Sequence, residues 1–162
     1  MEEEIIIRRA EQKDLNDILR LTAELYRHER ERYGHDWNLE WVYAKGGAVI
    51  KEAIAAADGV DYVVVAEFDR QVFAFLRGSL YEEDRMLWKK GKGAELWDIY
   101  IEEGLRNRNV GQKMMKMFLE WCRSKNVDYV LVNVAAKNSG AMKFYEKSGF
   151  ASNQIIMENK LK

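Results

Sequence analysis

The stretch "ELWDIYIEEGLRNRNVGQKMMKMFLEW", residues 95–121, passes from one structural period to another. Ala94 to Ile101 reads as a strand. Val110 to Lys125 reads as an amphipathic helix, with Val110, Met114, Met117, Phe118, Trp121 and Cys122 on one face and Lys113, Lys116, Glu120 and Arg123 mostly elsewhere. The apolar stripe docks the helix on a sheet, so its first turn projects from the strand edge. Arg106-Asn107-Arg108-Asn109-Val110-Gly111 joins the two. A helix start offers up to about four backbone N–H groups without intrahelical partners and roughly half a unit of positive charge, and phosphate satisfies both. Gly111, lacking a Cβ, lets an anion approach the backbone, and Asn109 suits the positive-φ conformation that turns successive N–H groups inward. Arg106 and Arg108 add side-chain pairing. Taken alone, the same residues also describe a solvated basic connection, so the rest of the chain has to decide.

Working outward, Ile5 to Arg8 is a short strand, and Leu15, Ile18, Leu19, Leu21, Thr22, Leu25 and Tyr26 recur at helical spacing from about Asp14 to Arg32, with Asp14 as a plausible cap. The tail of that helix, His28 to Arg32, reads as a solvated end, and no His-Glu-x-x-His zinc motif exists because Arg32 stands where histidine is required. A second short helix ends at Asp58-Gly59. Tyr62 to Glu67 and Gln71 to Leu80 form a hairpin around Phe68-Asp69-Arg70. Tyr129 to Ala135 reads as a buried strand, Ser139 to Lys147 as a helix closed by Gly149, and Phe150 to Leu161 as one or two final strands. Interleaved helices and strands with at least one hairpin give a mixed α/β sheet with helices packed on it, in one domain over residues 1–162.

Composition narrows the classes. The chain has 26 basic and 27 acidic residues and a formal net charge of -1, so no global field favours nucleic acid or a membrane surface. The single cysteine, Cys122, excludes an internal disulfide framework and fits a structural role on the apolar helix face. No apolar run approaches the roughly 20 residues of a membrane span, and Met-Glu-Glu-Glu is opposite in charge to a secretory leader, so a soluble cytoplasmic protein is expected. No Gly-x-Gly-x-x-Gly follows an early strand and no Gly-Lys-Ser/Thr is present, which disfavours a nicotinamide dehydrogenase and a P-loop kinase.

Arg106, Asn109 and Gly111 resemble the pyrophosphate-binding signature of the GNAT superfamily, the acetyl-CoA-dependent N-acetyltransferases: Gln or Arg, two residues, Gly, one residue, Gly or Ala. Asn109 departs from the usual glycine, and the proline that many members have after the strand is absent following Ile101. "NSGAMKFYEKSGF", Asn138 to Phe150, resembles the family's second motif, and "IRRAEQKDL" resembles its usual start. The similarity covers nearly the whole chain in order. It implies a mostly antiparallel sheet of 6–7 strands with a splayed parallel pair, flanked by about four helices.

The resemblance also implies a site. The main chain of Ile99, Tyr100 and Ile101 would hold the pantetheine arm, and Arg106, Asn107, Arg108, Asn109, Val110, Gly111 and Gln112 the pyrophosphate, with Asn138 and Tyr145 completing the acetyl-CoA contacts. No metal is implied. Transfer requires a neutral amine, and an ammonium with a pKa of roughly 10.4 lies about three units above neutral pH, a cost of about 4 kcal/mol that a carboxylate can relieve. Glu95 and Asp98 are both candidates; a regular strand puts them on opposite faces, whereas a bulge or splay changes that. Tyr145 is the family-matched acid for the departing CoA thiolate, and a main-chain N–H near Ile99 or Tyr100 would meet the oxyanion. Aromatic residues and carboxylates, Tyr26, Trp37, Tyr81 and Glu82 foremost, with Tyr33, His35, Asp36, Trp41, Tyr43, Glu83 and Asp84 nearby, suit a cationic acceptor. The expected acceptor is a small polyamine-like or lysine-like amine. A peptide α- or ε-amine, or a non-catalytic acyl-CoA-binding module, are the alternatives; a homodimer is the candidate assembly, and neither nucleic acid nor membrane is an expected partner.

Overall fold

A computed structural model describes residues 4–35, 37–56, 59–82, 91–159 and 161. Among them, five strands form one sheet whose spatial order follows the chain: β1 (Ile6–Arg9), β2 (Asp61–Phe68), β3 (Gln71–Glu82), β4 (Lys92–Ile101) and β5 (Tyr129–Val132). The first four run antiparallel to their neighbours, and β4 and β5 run parallel. A 3-10 turn at Gln12–Asp14 leads into α1 (Leu15–Tyr33). A short α2 (Leu39–Trp41) continues through a π turn, Val42–Gly46, into α3 (Gly47–Ala55), and α4 (Val110–Ser124) and α5 (Ser139–Lys147) follow.

The hydrophobic pattern explains the layering. Val63 to Ala66 in β2 is continuously apolar because both faces are covered. Val64 and Ala66 join Met114, Phe118 and Cys122 beneath α4, whereas Val63 and Val65 meet Ile18, Leu21 and Ile50 beneath α1 and α3. Burial also pushes the Cys122 thiol up to about 11, consistent with a packing residue. The β2–β3 hairpin closes through Asp69 and Arg70, both left-handed at φ 48° and 61°, as a two-residue turn with right-twisting strands requires.

Three local expectations change. Asp14 does not cap α1; its carboxylate accepts from Arg8 Nη1 at 2.7 Å and from the Glu11 N–H at 2.8 Å. Burial would raise its pKa, but Arg8 and that N–H outweigh burial and hold it below its ordinary value. The sheet has five strands rather than six or seven, because residues 150–159 belong to no strand and Ile155, Ile156, Met157 and Leu161 are 80 to 91% exposed. β5 ends at Val132 instead of reaching Ala135.

The site is positioned by an irregularity in β4. Arg77 of β3 faces Asp98, but its successor Gly78 faces Leu96, so Trp97 is an extra, bulged residue. Gly78 is required opposite it, since a Cβ there would lie 2.8 Å from the Glu95 carbonyl oxygen and 2.5 Å from Phe118 Cε2. The bulge shifts the alternation by one. Ala94 and Leu96 before it, and Ile99 and Ile101 beyond it, all pack toward α4, while Tyr100 packs toward α1. By the same alternation Glu95 and Asp98 share the α1 face.

Candidate functional site

The parallel pairing of β4 with β5 runs from Gly93↔Tyr129 to Leu96↔Val132 and stops. Beyond it, Asp98 to Ile101 remain paired with β3 on one side but have no β5 partner on the other, so alternate N–H and C=O groups face a strand edge. The chain leaves β4 at the end of this edge and enters α4 through a 3-10 turn, Glu103–Leu105.

Asn107 and Asn109 are both left-handed, at φ 64° and 59°. No side chain caps α4, and its first turn holds no acidic residue. The first intrahelical bond runs from the Lys113 N–H to the Asn109 carbonyl at 3.1 Å, so the N–H groups of Val110, Gly111 and Gln112 precede any intrahelical acceptor. Arg106 ties the loop to the strand: its Nε donates to the Ile101 carbonyl at 2.9 Å and its guanidinium lies 5.6 Å from the Tyr100 ring centre. Arg108 is exposed and has no ion-pair partner among the described residues. A Cβ on Gly111 would come within 3.1 Å of Phe144 Cε2 and 3.2 Å of Ile101 Cδ1, so this glycine also serves the close packing of α4 on β4 and α5.

From the other side, α5 is capped by Asn138, whose side-chain oxygen accepts from the Ala141 N–H at 3.0 Å. The helix carries Phe144 and Tyr145 to the core, where the half-buried Tyr145 ring meets Phe144 at 5.4 Å and Phe150 at 5.8 Å, both edge-on. Burial raises the Tyr145 hydroxyl above the usual phenol pKa, and the carboxylates of Glu29 and Asp98 reinforce the shift.

Asp98 is 4% exposed. Its Oδ2 accepts from Arg77 Nε at 2.9 Å and Nη2 at 2.7 Å, and its Oδ1 accepts from the Tyr26 hydroxyl at 3.3 Å. Tyr26 is itself raised in pKa by burial and by Asp98. Trp37 stacks on Tyr26 with ring centres 5.1 Å apart and 17° between planes, and donates its Nε1 to Glu29 at 2.8 Å. Glu95 accepts from Asn133 Nδ2 at 3.0 Å beside the last parallel pairs.

These contacts bring Tyr26, Trp37 and Asp98 together, within electrostatic reach of Tyr145. Tyr81 stands apart: it pairs with Gly93 and meets the Tyr129 ring at 6.1 Å, four residues along β3 from Arg77, or roughly 13 Å at strand spacing. Glu82 ends β3 opposite Lys92. The side chain of Glu82, and Asp36, Asp58, Glu83 and Asp84, lie outside the described residues. Among the described residues no group of three or more His, Cys, Asp or Glu is arranged to hold a metal ion, and no helix is long and apolar enough to cross a membrane.

The model of the acetyltransferase (GNAT) family matches residues 22–150, which contain the strand edge, the loop and α5. The chain belongs to the acetyltransferase (GNAT) family. Among curated GNAT relatives, it is 26% identical over 100 residues to glucosamine 6-phosphate N-acetyltransferase of Arabidopsis thaliana, covering 61% of this chain and 65% of that protein. The chain matches 65%, 30% and 62% of the lengths of the three curated relatives it resembles. The same GNAT fold recurs in a mutant of the BH1408 protein from Bacillus halodurans, with TM-score 0.83, 19% identity and coverage of 97% of this chain and 99% of that one. It recurs also in an aminoglycoside N-acetyltransferase solved with CoA, with TM-score 0.75, 16% identity and coverage of 100% and 98%.

Two participants escaped the sequence reading. Arg77 becomes visible only once β3 is paired with β4. Glu29 was read as part of a solvated helix end, yet it stands three residues after Tyr26 and seven after Thr22, on the inward stripe of α1. That spacing was the available signal.

Proposed function

We propose that this chain transfers an acetyl group from acetyl-CoA to the primary amine of a small cationic acceptor, by direct attack in a ternary complex. One observation carries the reading: the β4–β5 pairing ends at Leu96 and Val132, leaving the last residues of β4 without a strand partner on that side, and an uncapped helix start follows. The N–H groups of Val110, Gly111 and Gln112 suit the pyrophosphate, with Asn109 left-handed beneath it and Arg106, Asn107 and Arg108 around it. The unpaired edge of Ile99, Tyr100 and Ile101 suits the pantetheine amides, and Asn138 and Tyr145 border the other wall.

In the reaction, the acceptor ammonium loses its proton to Glu95 or Asp98, directly or through water. The bulge at Trp97 makes either feasible by placing both on the α1 face. The neutral amine then attacks the thioester carbonyl. As the C–N bond forms, a main-chain N–H near Ile99 or Tyr100 steadies the oxyanion. The C–S bond breaks as Tyr145 supplies a proton to the departing thiolate and regains one from solvent, and the carboxylate, having passed its first proton to solvent, takes the proton released from the new amide nitrogen and passes it on likewise. With its pKa raised, Tyr145 stays a protonated donor at neutral pH. Relatives named for glucosamine 6-phosphate and an aminoglycoside support an amine acceptor of small size. A homodimer is favoured by the exposed apolar segment around Ile155 to Met157, which a second copy would cover.

Calorimetric titration with CoA and with pantetheine tests the site. If the α4 start holds the pyrophosphate, CoA binds at least about 100-fold tighter, the loss of two or more charge-assisted contacts. Equal affinities, or no binding of CoA, contradict the assignment.

A further inference from the structure

We propose that Glu29 is the anchor for a second cationic group of the acceptor, so that the preferred substrate carries an ammonium a few bonds away from the amine that reacts. The proposal rests on the acetyltransferase reading and deepens it. Three observations support it. Glu29 is half-buried on the inward stripe of α1, and one carboxylate oxygen is fixed by the Trp37 indole at 2.8 Å. Its other oxygen accepts no hydrogen bond among the described residues, so it remains available to a ligand donor.

The Glu29 and Asp98 carboxylates differ in charge balance. Asp98 has two N–H groups of the Arg77 guanidinium on its Oδ2, which offsets its field. Glu29 has no cation within ion-pair distance among the described residues. An arriving ammonium is therefore drawn to Glu29 rather than to Asp98.

The surroundings suit a cation as well. Trp37 and Tyr26, stacked at 5.1 Å, form an aromatic wall beside the carboxylate, and an ammonium held there gains both charge pairing and contact with the ring faces. Placement relative to the chemistry follows from contacts: Glu29 holds the Trp37 indole, Trp37 stacks on Tyr26, and the Tyr26 hydroxyl donates to Asp98. An ammonium bound at Glu29 leaves the other end of a short diamine or amino sugar on the Tyr26 and Asp98 side. No bond changes at Glu29; it positions and selects.

The test uses the full chain saturated with CoA. Calorimetry compares 1,4-diaminobutane with 4-amino-1-butanol, of equal length but carrying one charge, for the parent protein and for Glu29→Gln. The expected result is a preference of about tenfold or more for the diamine in the parent, lost in Glu29→Gln, with CoA affinity unchanged and Glu29→Asp retaining part of the preference. Overturning results are a parent that binds both amines equally or neither, or a Glu29→Gln protein that keeps the preference. CoA binding, read in the same samples, fails only if the acetyltransferase reading itself fails.

Discussion

Replacing Arg77 by Met leaves the Asp98 carboxylate in a site where its side chain is only 3% exposed, with the Tyr26 hydroxyl as its remaining described donor. Arg77 is 11% exposed, so solvent does little to screen the pair. Breaking a buried pair on one side costs about 3–5 kcal/mol, because the surviving charge stays desolvated. For a domain of this size that corresponds to a fall of roughly 6–20 °C in Tm. The paired replacement Arg77→Met with Asp98→Leu removes both charges and should recover most of the loss, since apolar residues of similar volume replace such pairs at little cost. Urea denaturation of the parent, both single variants and the double variant at pH 7 gives the full cycle. The reasoning is refuted if Arg77→Met loses less than about 1 kcal/mol, or if the double variant loses the sum of the singles.

Tyr145→Phe should leave CoA affinity unchanged and lower kcat by about 100-fold or more, the usual worth of a positioned acid; an unaltered kcat would remove Tyr145 from the mechanism. Stability at high pH has a defined sign. Tyr26 and Tyr145 have folded-state pKa values above the unfolded value of about 10, so the unfolded chain loses its protons first. Their contribution is complete below about pH 10 and is lost as pH rises through the folded values, so the urea midpoint should fall as pH rises above about 10; a flat or rising midpoint there would contradict the burial of these hydroxyls. Ile156→Lys should convert a dimer to a monomer in sedimentation without changing Tm by more than about 2 °C, because the residue is 80% exposed in the isolated chain. A parent that sediments as a monomer contradicts the assembly.

Much of this architecture was legible because periodicity reports burial directly. The α4 stripe, the continuous apolar run of β2 and the hairpin around Asp69 and Arg70 each follow from residues whose environment is local or two-faced. The positive φ of Asn109 was readable for the same reason, since few side chains tolerate that conformation. What escaped depends on contacts distant in sequence. The bulge at Trp97 arises from register against Gly78, and without it Glu95 and Asp98 would face opposite ways. Asp14 looked like a cap until Arg8, six residues earlier, claimed it. The residues after Phe150 have strand character but pair with no described strand, so composition alone overcounted the sheet. Glu29 was hidden among alternating charges, where helical phase rather than composition separates an inward carboxylate from a solvated one.

The central claim is most directly tested by release of free thiol from acetyl-CoA, followed with a thiol reagent against a panel of diamines, amino sugars, lysine and short peptides. The account predicts thiol release that depends on an added amine and is fastest with small dications. Binding of CoA without amine-dependent release from any member, or release with peptides alone, would contradict it.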